Sequence, residues 1–191
     1  MLSQLRPAVV IFTALTVLCG VAYPFAVTGI GRAAFADEAS GSLVMRGGQV
    51  VGSRLIGQSF TSPRYFWGRP SATSPMPANG GGSGGANQGP TNPALTDAVK
   101  ARLAALRAVD PANTLPVPVE LVTASASGLD PDIGVAAAHW QVARVARVRG
   151  LPVAQVQAEV DRLATTPLFG FLGEATVNVL ALNLALDGLP R

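Results

Sequence analysis

Few residues in this chain have the types and spacing for chemistry. The run Ser125–Asp130 reads SASGLD and brings two hydroxyls, a glycine and a carboxylate together. A hydroxyl on a tight turn is the raw material of a serine nucleophile. The esterase elbow, though, is Gly-x-Ser-x-Gly between a strand and a helix. Here Ala126 precedes Ser127 and Gly128 follows it directly, so the pattern fails. A turn leading into a helix could also bind an anion at the helix N-terminus, but Asp130 and Asp132 would oppose it. A Ser-His-Asp triad would have to use His139, the single histidine. Its setting, AAAHWQVARV, predicts a place on a helix surface. A zinc site needs several nitrogen or sulfur ligands. His139 has no such companion, because the single cysteine, Cys19, lies inside an apolar run. A single cysteine also excludes an intramolecular disulfide. The glycine tract Gly80–Gly85 is not a phosphate-cradling loop: no Gly-Lys-Ser/Thr follows it, and the lone lysine, Lys100, lies beyond the next turn. No catalytic residue and no metal-ligand set is therefore predicted.

The elements that must position these residues begin with a membrane-length segment. Residues 7–31 carry no charge, and Ala8–Ile30 is almost wholly apolar or small. As a helix it would rise about 35 Å, against about 30 Å of hydrocarbon. The chain thus divides into a short tail (1–7), a candidate span (8–30) and a domain (35–191). Arg6 and the site-like Ala34-Phe35-Ala36 keep a cleaved leader open, but the run is longer than a leader's apolar core and favours a retained anchor. The first residues after the span include Asp37 and Glu38. The positive-inside rule then weakly predicts a cytoplasmic N-terminus and an extracytoplasmic domain. Only 13% of residues are charged and the net charge is +3, nearly all from scattered arginines. That is not the basic stripe of a nucleic-acid binder.

The domain reads as mixed α/β. Gly47-Gly48 between two Val/Leu/Met-rich runs predicts a β-hairpin, with residues 53–60 continuing as strand or strand end. Residues 61–92 hold too many prolines and glycines for a regular element. Tyr65-Phe66-Trp67 still predicts order there. Asn92-Pro93 is a helix start, and Leu95, Val99, Leu103 and Leu106 form a packing stripe to about Ala108. Val117–Ser125 reads as a buried strand. Asp130-Pro131 is expected to open a helix that ends at Gly150, with Gln141 and Arg144 sharing a face, either solvated or contacting a partner. A third helix follows Leu151-Pro152, buried through Val156, Val160 and Leu163. Ala175–Leu186 begins as strand; residues 180–186 could be strand or helix.

Taken in order, several blocks carry a resemblance: LIGQSF (Leu55–Phe60), YFWGRPSA (Tyr65–Ala72), GPTNP (Gly89–Pro93), LVTASASGLDP (Leu121–Pro131), QVARVA (Gln141–Ala146) and VNVLALN (Val177–Asn183). Behind a single membrane segment, they make the chain resemble the C subunit of the Kdp potassium-transporting P-type ATPase over nearly its whole length. The resemblance implies a non-catalytic subunit of the cell membrane that raises the ATP affinity of a separate ATP-hydrolysing subunit. It also implies a potassium-conducting subunit, which carries the ion, and a small membrane subunit as partners. No covalently bound cofactor is implied, and ATP enters through the complex. The segments associated with nucleotide in the family map to Ser125, Ser127, Gly128 and Gln141, with Ala126 standing where the family generally has glycine. The residues alone leave one alternative of another class, an anchored or secreted hydrolase or binding domain using the loop 125–130.

Overall fold

A computed structural model describes residues 2–189. The chain divides into two units, Met1–Leu43 and Val44–Arg191. The first is helical: α1 (Leu2–Val17), a π-helical turn (Leu18–Ala22), α2 (Tyr23–Ala34) and the short α3 (Ala36–Ala39). The helical run Ser3–Ala34 has 32 residues, a mean hydropathy of 2.1 over its most apolar stretch, and no buried residue there. It exceeds the predicted 8–30 at both ends and is long and apolar enough to cross a membrane. The π turn has a local cause. Pro24 has no N–H to donate, and its ring crowds the carbonyl of Gly20. Widening the preceding turn, so that Tyr23 N–H donates to the Leu18 carbonyl, accommodates it without breaking the helix.

The second unit is mixed α/β. Strands β1 (Leu43–Arg46) and β2 (Gln49–Ser53) form the expected hairpin. Gly47 and Gly48 both take positive φ, 57° and 79°, as the tight turn requires. Next come α4 (Pro93–Val109), a 3-10 turn (Val119–Leu121), β3 (Asp132–Gly134), α5 (Val135–Arg149), α6 (Val153–Leu163), β4 (Thr176–Asn178) and α7 (Val179–Asp187). Strands β3 and β4 pair antiparallel, with Ile133 opposite Val177. Each runs straight into a helix, and because the strands are antiparallel, α5 and α7 leave from opposite ends of the pair. The core gathers on this frame: Ile133, Val145, Val156, Val160, Val177 and Leu182 are all essentially inaccessible.

Three expectations are corrected. Residues 53–60 do not continue as strand: β2 ends at Ser53, turns follow, and Ser53 bridges to Ile56. Residues 117–125 are not a strand. Pro116 and Pro118 remove ladder donors, and the chain takes the 3-10 turn that buries Leu121. The helix expected from Pro131 begins four residues later, because Asp132–Gly134 pairs with Thr176–Asn178 first. Elsewhere the signals hold. Asn92 Oδ1 accepts from Ala94 N–H at the start of α4, and α5 stops at Gly150 in the left-handed region. The ambiguous residues 180–186 are helical, capped by Asn178.

Candidate functional site

The loop 125–130 is clamped between two segments without regular structure. From one side, Ser125 N–H donates to the Pro70 carbonyl at 2.9 Å, and Ser71 Oγ donates to the Gly128 carbonyl at 2.7 Å. From the other, Gly84 N–H (2.9 Å) and Ser83 Oγ (3.0 Å) both donate to the Ser127 carbonyl. This is the task of the glycine tract that the sequence left without one. A Cβ on Gly85 would sit 2.7 Å from the Ala126 carbonyl oxygen. Gly128, at φ +67°, would place one 2.5 Å from Thr73 Cγ2 and 2.7 Å from the Gly84 oxygen. Backbones meet here at a distance that side chains forbid.

Inside the loop the two hydroxyls face each other, with Ser125 Oγ and Ser127 Oγ 3.1 Å apart. Ser125 Oγ also accepts from Gly128 N–H, and Ser127 Oγ from Leu129 N–H. These are turn-stabilising bonds. Ser125 is buried while Ala126 and Ser127 are exposed. A cavity of about 600 Å³ opens beside Ser125 and Ala126, with Asn87, Gln88 and Leu95 on its other walls. No helix begins at this loop, because α5 starts at Val135, so the helix-terminal anion site considered from the sequence does not form. Arg69 Nη1 meets Asp130 Oδ2 at 2.9 Å and anchors the far end of the turn.

Gln141 lies elsewhere and does different work. The expectation that Gln141 and Arg144 form a solvated or partner-facing surface is overturned: both are 0% exposed. Their partner is the backbone of residues 63–67. Gln141 Oε1 accepts from Trp67 N–H at 2.8 Å, and its Nε2 donates to the Trp67 carbonyl at 3.0 Å. Asn183, on α7, makes the same two-way pairing with Phe66 at 2.8 and 3.0 Å. Arg144 Nη1 donates to the carbonyls of Pro63 and Tyr65, and its Nη2 to Gln141 Oε1. A buried chain must satisfy its N–H and C=O groups. Here side-chain amides replace the neighbouring strand, and Phe66 is driven fully into the core. The Arg144 guanidinium stacks 5.2 Å from the Trp67 ring centroid. Burial pushes it down to about 10, with Asp110 opposing and Arg147 adding to that shift, so it stays charged near neutrality.

The structure thus brings Ser125, Ser127 and Gly128 together and sets Gln141 apart, in the core. The i, i+3 spacing of Gln141 and Arg144 placed them on one helix face. What the sequence missed is that residues 63–67, a turn running into irregular chain, take backbone partners from these side chains. His139 lies on α5 as expected, its Nε2 2.9 Å from Asp161 Oδ1 on α6. Among the described residues no group of three or more His, Cys, Asp or Glu could hold a metal.

Comparison with known proteins shows the family. The family described as "KdpC: K+-transporting ATPase, c chain" matches residues 5–188. A "Potassium-transporting ATPase KdpC subunit" of Herminiimonas arsenicoxydans is 65% identical over 187 residues, covering 98% of both chains. Proteins of the same description are 63% identical in Janthinobacterium sp. (strain Marseille), covering 98% of this chain and 99% of the relative, and 61% identical in Sorangium cellulosum, with the same coverage.

Proposed function

The chain belongs to the KdpC family, the c chain of K+-transporting ATPases, and from that premise we propose that it is the non-catalytic accessory subunit of an ATP-driven potassium pump. In this reading residues 8–30 anchor it in the cell membrane, with the N-terminus cytoplasmic and residues 35–191 outside. It stabilises the complex and raises the ATP affinity of the separate hydrolysing subunit, acting as a catalytic chaperone. Its partners are that subunit, the potassium-conducting subunit and a small membrane subunit.

The observation that carries the reading is the helical run Ser3–Ala34, which buries nothing in the apolar stretch that identifies it. An apolar surface of that length needs lipid or other membrane helices around it. The domain supplies a second support. The loop tip Leu168–Leu172 (LFGFL) exposes Phe169 at 77% and Phe171 at 74%, a surface suited to a partner. The hydrolase alternative finds no support in the described residues. Ser127 Oγ bonds within its own turn, and His139 is paired with Asp161.

An extracytoplasmic domain would not meet cytoplasmic ATP. The gain in ATP affinity is then indirect: the subunit binds one conformational state of the pump better than another and shifts the balance. The nucleotide assignment of Ser125, Ser127, Gly128 and Gln141 is the competing proposal, and the cavity beside Ser125 is what favours it. Tagged full-length chain, extracted from its host membrane, tests the reading. It should elute with larger membrane subunits as one complex. Elution as a detergent-solubilised monomer from cells that express the other subunits would contradict it.

A further inference from the structure

A second cavity, of about 290 Å³, lies away from the loop 125–130, where the ends of α5 and α7 approach residues 46 and 64–65. Its walls hold three guanidiniums, Arg46, Arg64 and Arg149, and one carboxylate, Asp187. Asp187 is already committed. Its Oδ1 accepts from Arg149 Nη1 at 2.9 Å, and its Oδ2 from Arg46 Nη1 at 3.3 Å and from Tyr65 Oη at 3.2 Å. Arg149 is the deepest of the three, with only 4% of its side chain exposed. Its Nε donates to the Arg64 carbonyl at 2.7 Å, yet its Nη2 is buried with no hydrogen-bond partner. A buried donor on a charged group rarely goes unsatisfied. The Tyr65 ring lies between two of these cations, 5.0 Å from Arg149 Cζ and 5.7 Å from Arg64 Cζ.

Three positive charges therefore gather around one negative charge in a partly dry space. The C-termini of α5 and α7 lie here too, and each offsets about half a charge. About one unit of positive charge remains unbalanced. Guanidinium forks suit oxyanions that accept two parallel bonds. The geometry points to an oxyanion-binding site of phosphate type, formed by Arg64 and Arg149 with Arg46 at its rim. The cavity exceeds a bare phosphate, and Leu151, Leu186 and Leu189 line the remainder. A phosphate ester with a small organic body fits this division better than inorganic phosphate alone. The site is independent of the accessory-subunit reading and shares no residue with the loop 125–130.

Calorimetric titration of the full-length chain in detergent, at low salt, tests the site. The probes are inorganic phosphate for a free source and glycerol 3-phosphate for a lipid headgroup, with sodium chloride of matched ionic strength as control. Saturable binding of either phosphate probe is expected. Preference for glycerol 3-phosphate assigns the group to an ester or headgroup, and equal affinity assigns it to free phosphate. Arg64→Gln leaves the Asp187 contacts in place and should weaken binding by about ten-fold or more. Arg149→Gln should abolish it, and if that protein does not fold the Arg64→Gln result decides alone. Heat matched by chloride, no saturation up to about 10 mM, or unchanged affinity in Arg64→Gln would overturn the site.

Discussion

Gln141 uses every hydrogen-bonding position of its amide on the protein itself: Trp67 N–H and Arg144 on the oxygen, and the carbonyls of Trp67 and Ala137 on the nitrogen. Its removal would strand buried groups rather than clear a pocket. Gln141→Ala should lower the unfolding free energy by about 3 kcal/mol, since each buried polar group left unpaired costs about 1–3 kcal/mol. Urea denaturation measures this, and any change in the pump's ATP response in that variant must be read beside it. Asp132 provides a pH-dependent check. Burial raises its carboxyl above the ordinary 3.8; the Asn178 hydrogen bond lowers it and Asp130 raises it again. The folded state therefore holds this proton to higher pH than the unfolded one. The cost in stability builds up as pH rises from the unfolded value through the folded one, and it is gone below the unfolded value. Asp132→Asn keeps the oxygen that Asn178 bonds. This variant should be more stable than the parent at about pH 7, with the difference shrinking toward pH 3.8, as denaturation at several pH values would show.

The elements divide by how locally they are determined. Helices α4 and α6, the hairpin at Gly47-Gly48 and the stop at Gly150 were legible because each rests on its own residues: a cap, an apolar stripe, a positive φ. Strands β3 and β4 were not, because a three-residue strand exists only through a partner 44 residues away, such as Val177 opposite Ile133. The irregular region 61–92 was legible as ordered, through its aromatics, but not in its purpose. Its first part fills the core through Phe66, and its glycines let it close on the loop 125–130. The site residues followed the same division. The serines and Gly128 do share a turn, whereas the burial of Gln141 depends on residues 63–67 and could not be read from the spacing within α5. Two substitutions test this account of the region. Gly128→Ala, set at φ +67° against Thr73 and Gly84, should destabilise by more than about 1 kcal/mol, measured by thermal unfolding. Phe66→Ala, at a position with no exposure, should cost about 3–5 kcal/mol by the same measurement.

The whole molecule combines a helix that needs a lipid or helical environment with a domain whose buried polar groups mostly serve its own packing. In the proposed role such a protein acts through what it touches. The exposed tip Leu168–Leu172 is the first surface to test for contact. Changing Phe169 and Phe171 together to serine should leave the unfolding midpoint nearly unchanged, because neither ring is buried. It should reduce the share of tagged chain recovered with larger membrane subunits. Full recovery would move the contact surface elsewhere on the domain. The central claim is that this chain makes the pump bind ATP better without hydrolysing it. The most direct measurement is the apparent ATP affinity of potassium-stimulated hydrolysis in membranes from host cells with and without this chain. The account predicts a markedly weaker apparent ATP affinity when the chain is absent, restored by the full-length protein. The same ATP affinity in both membranes would contradict it.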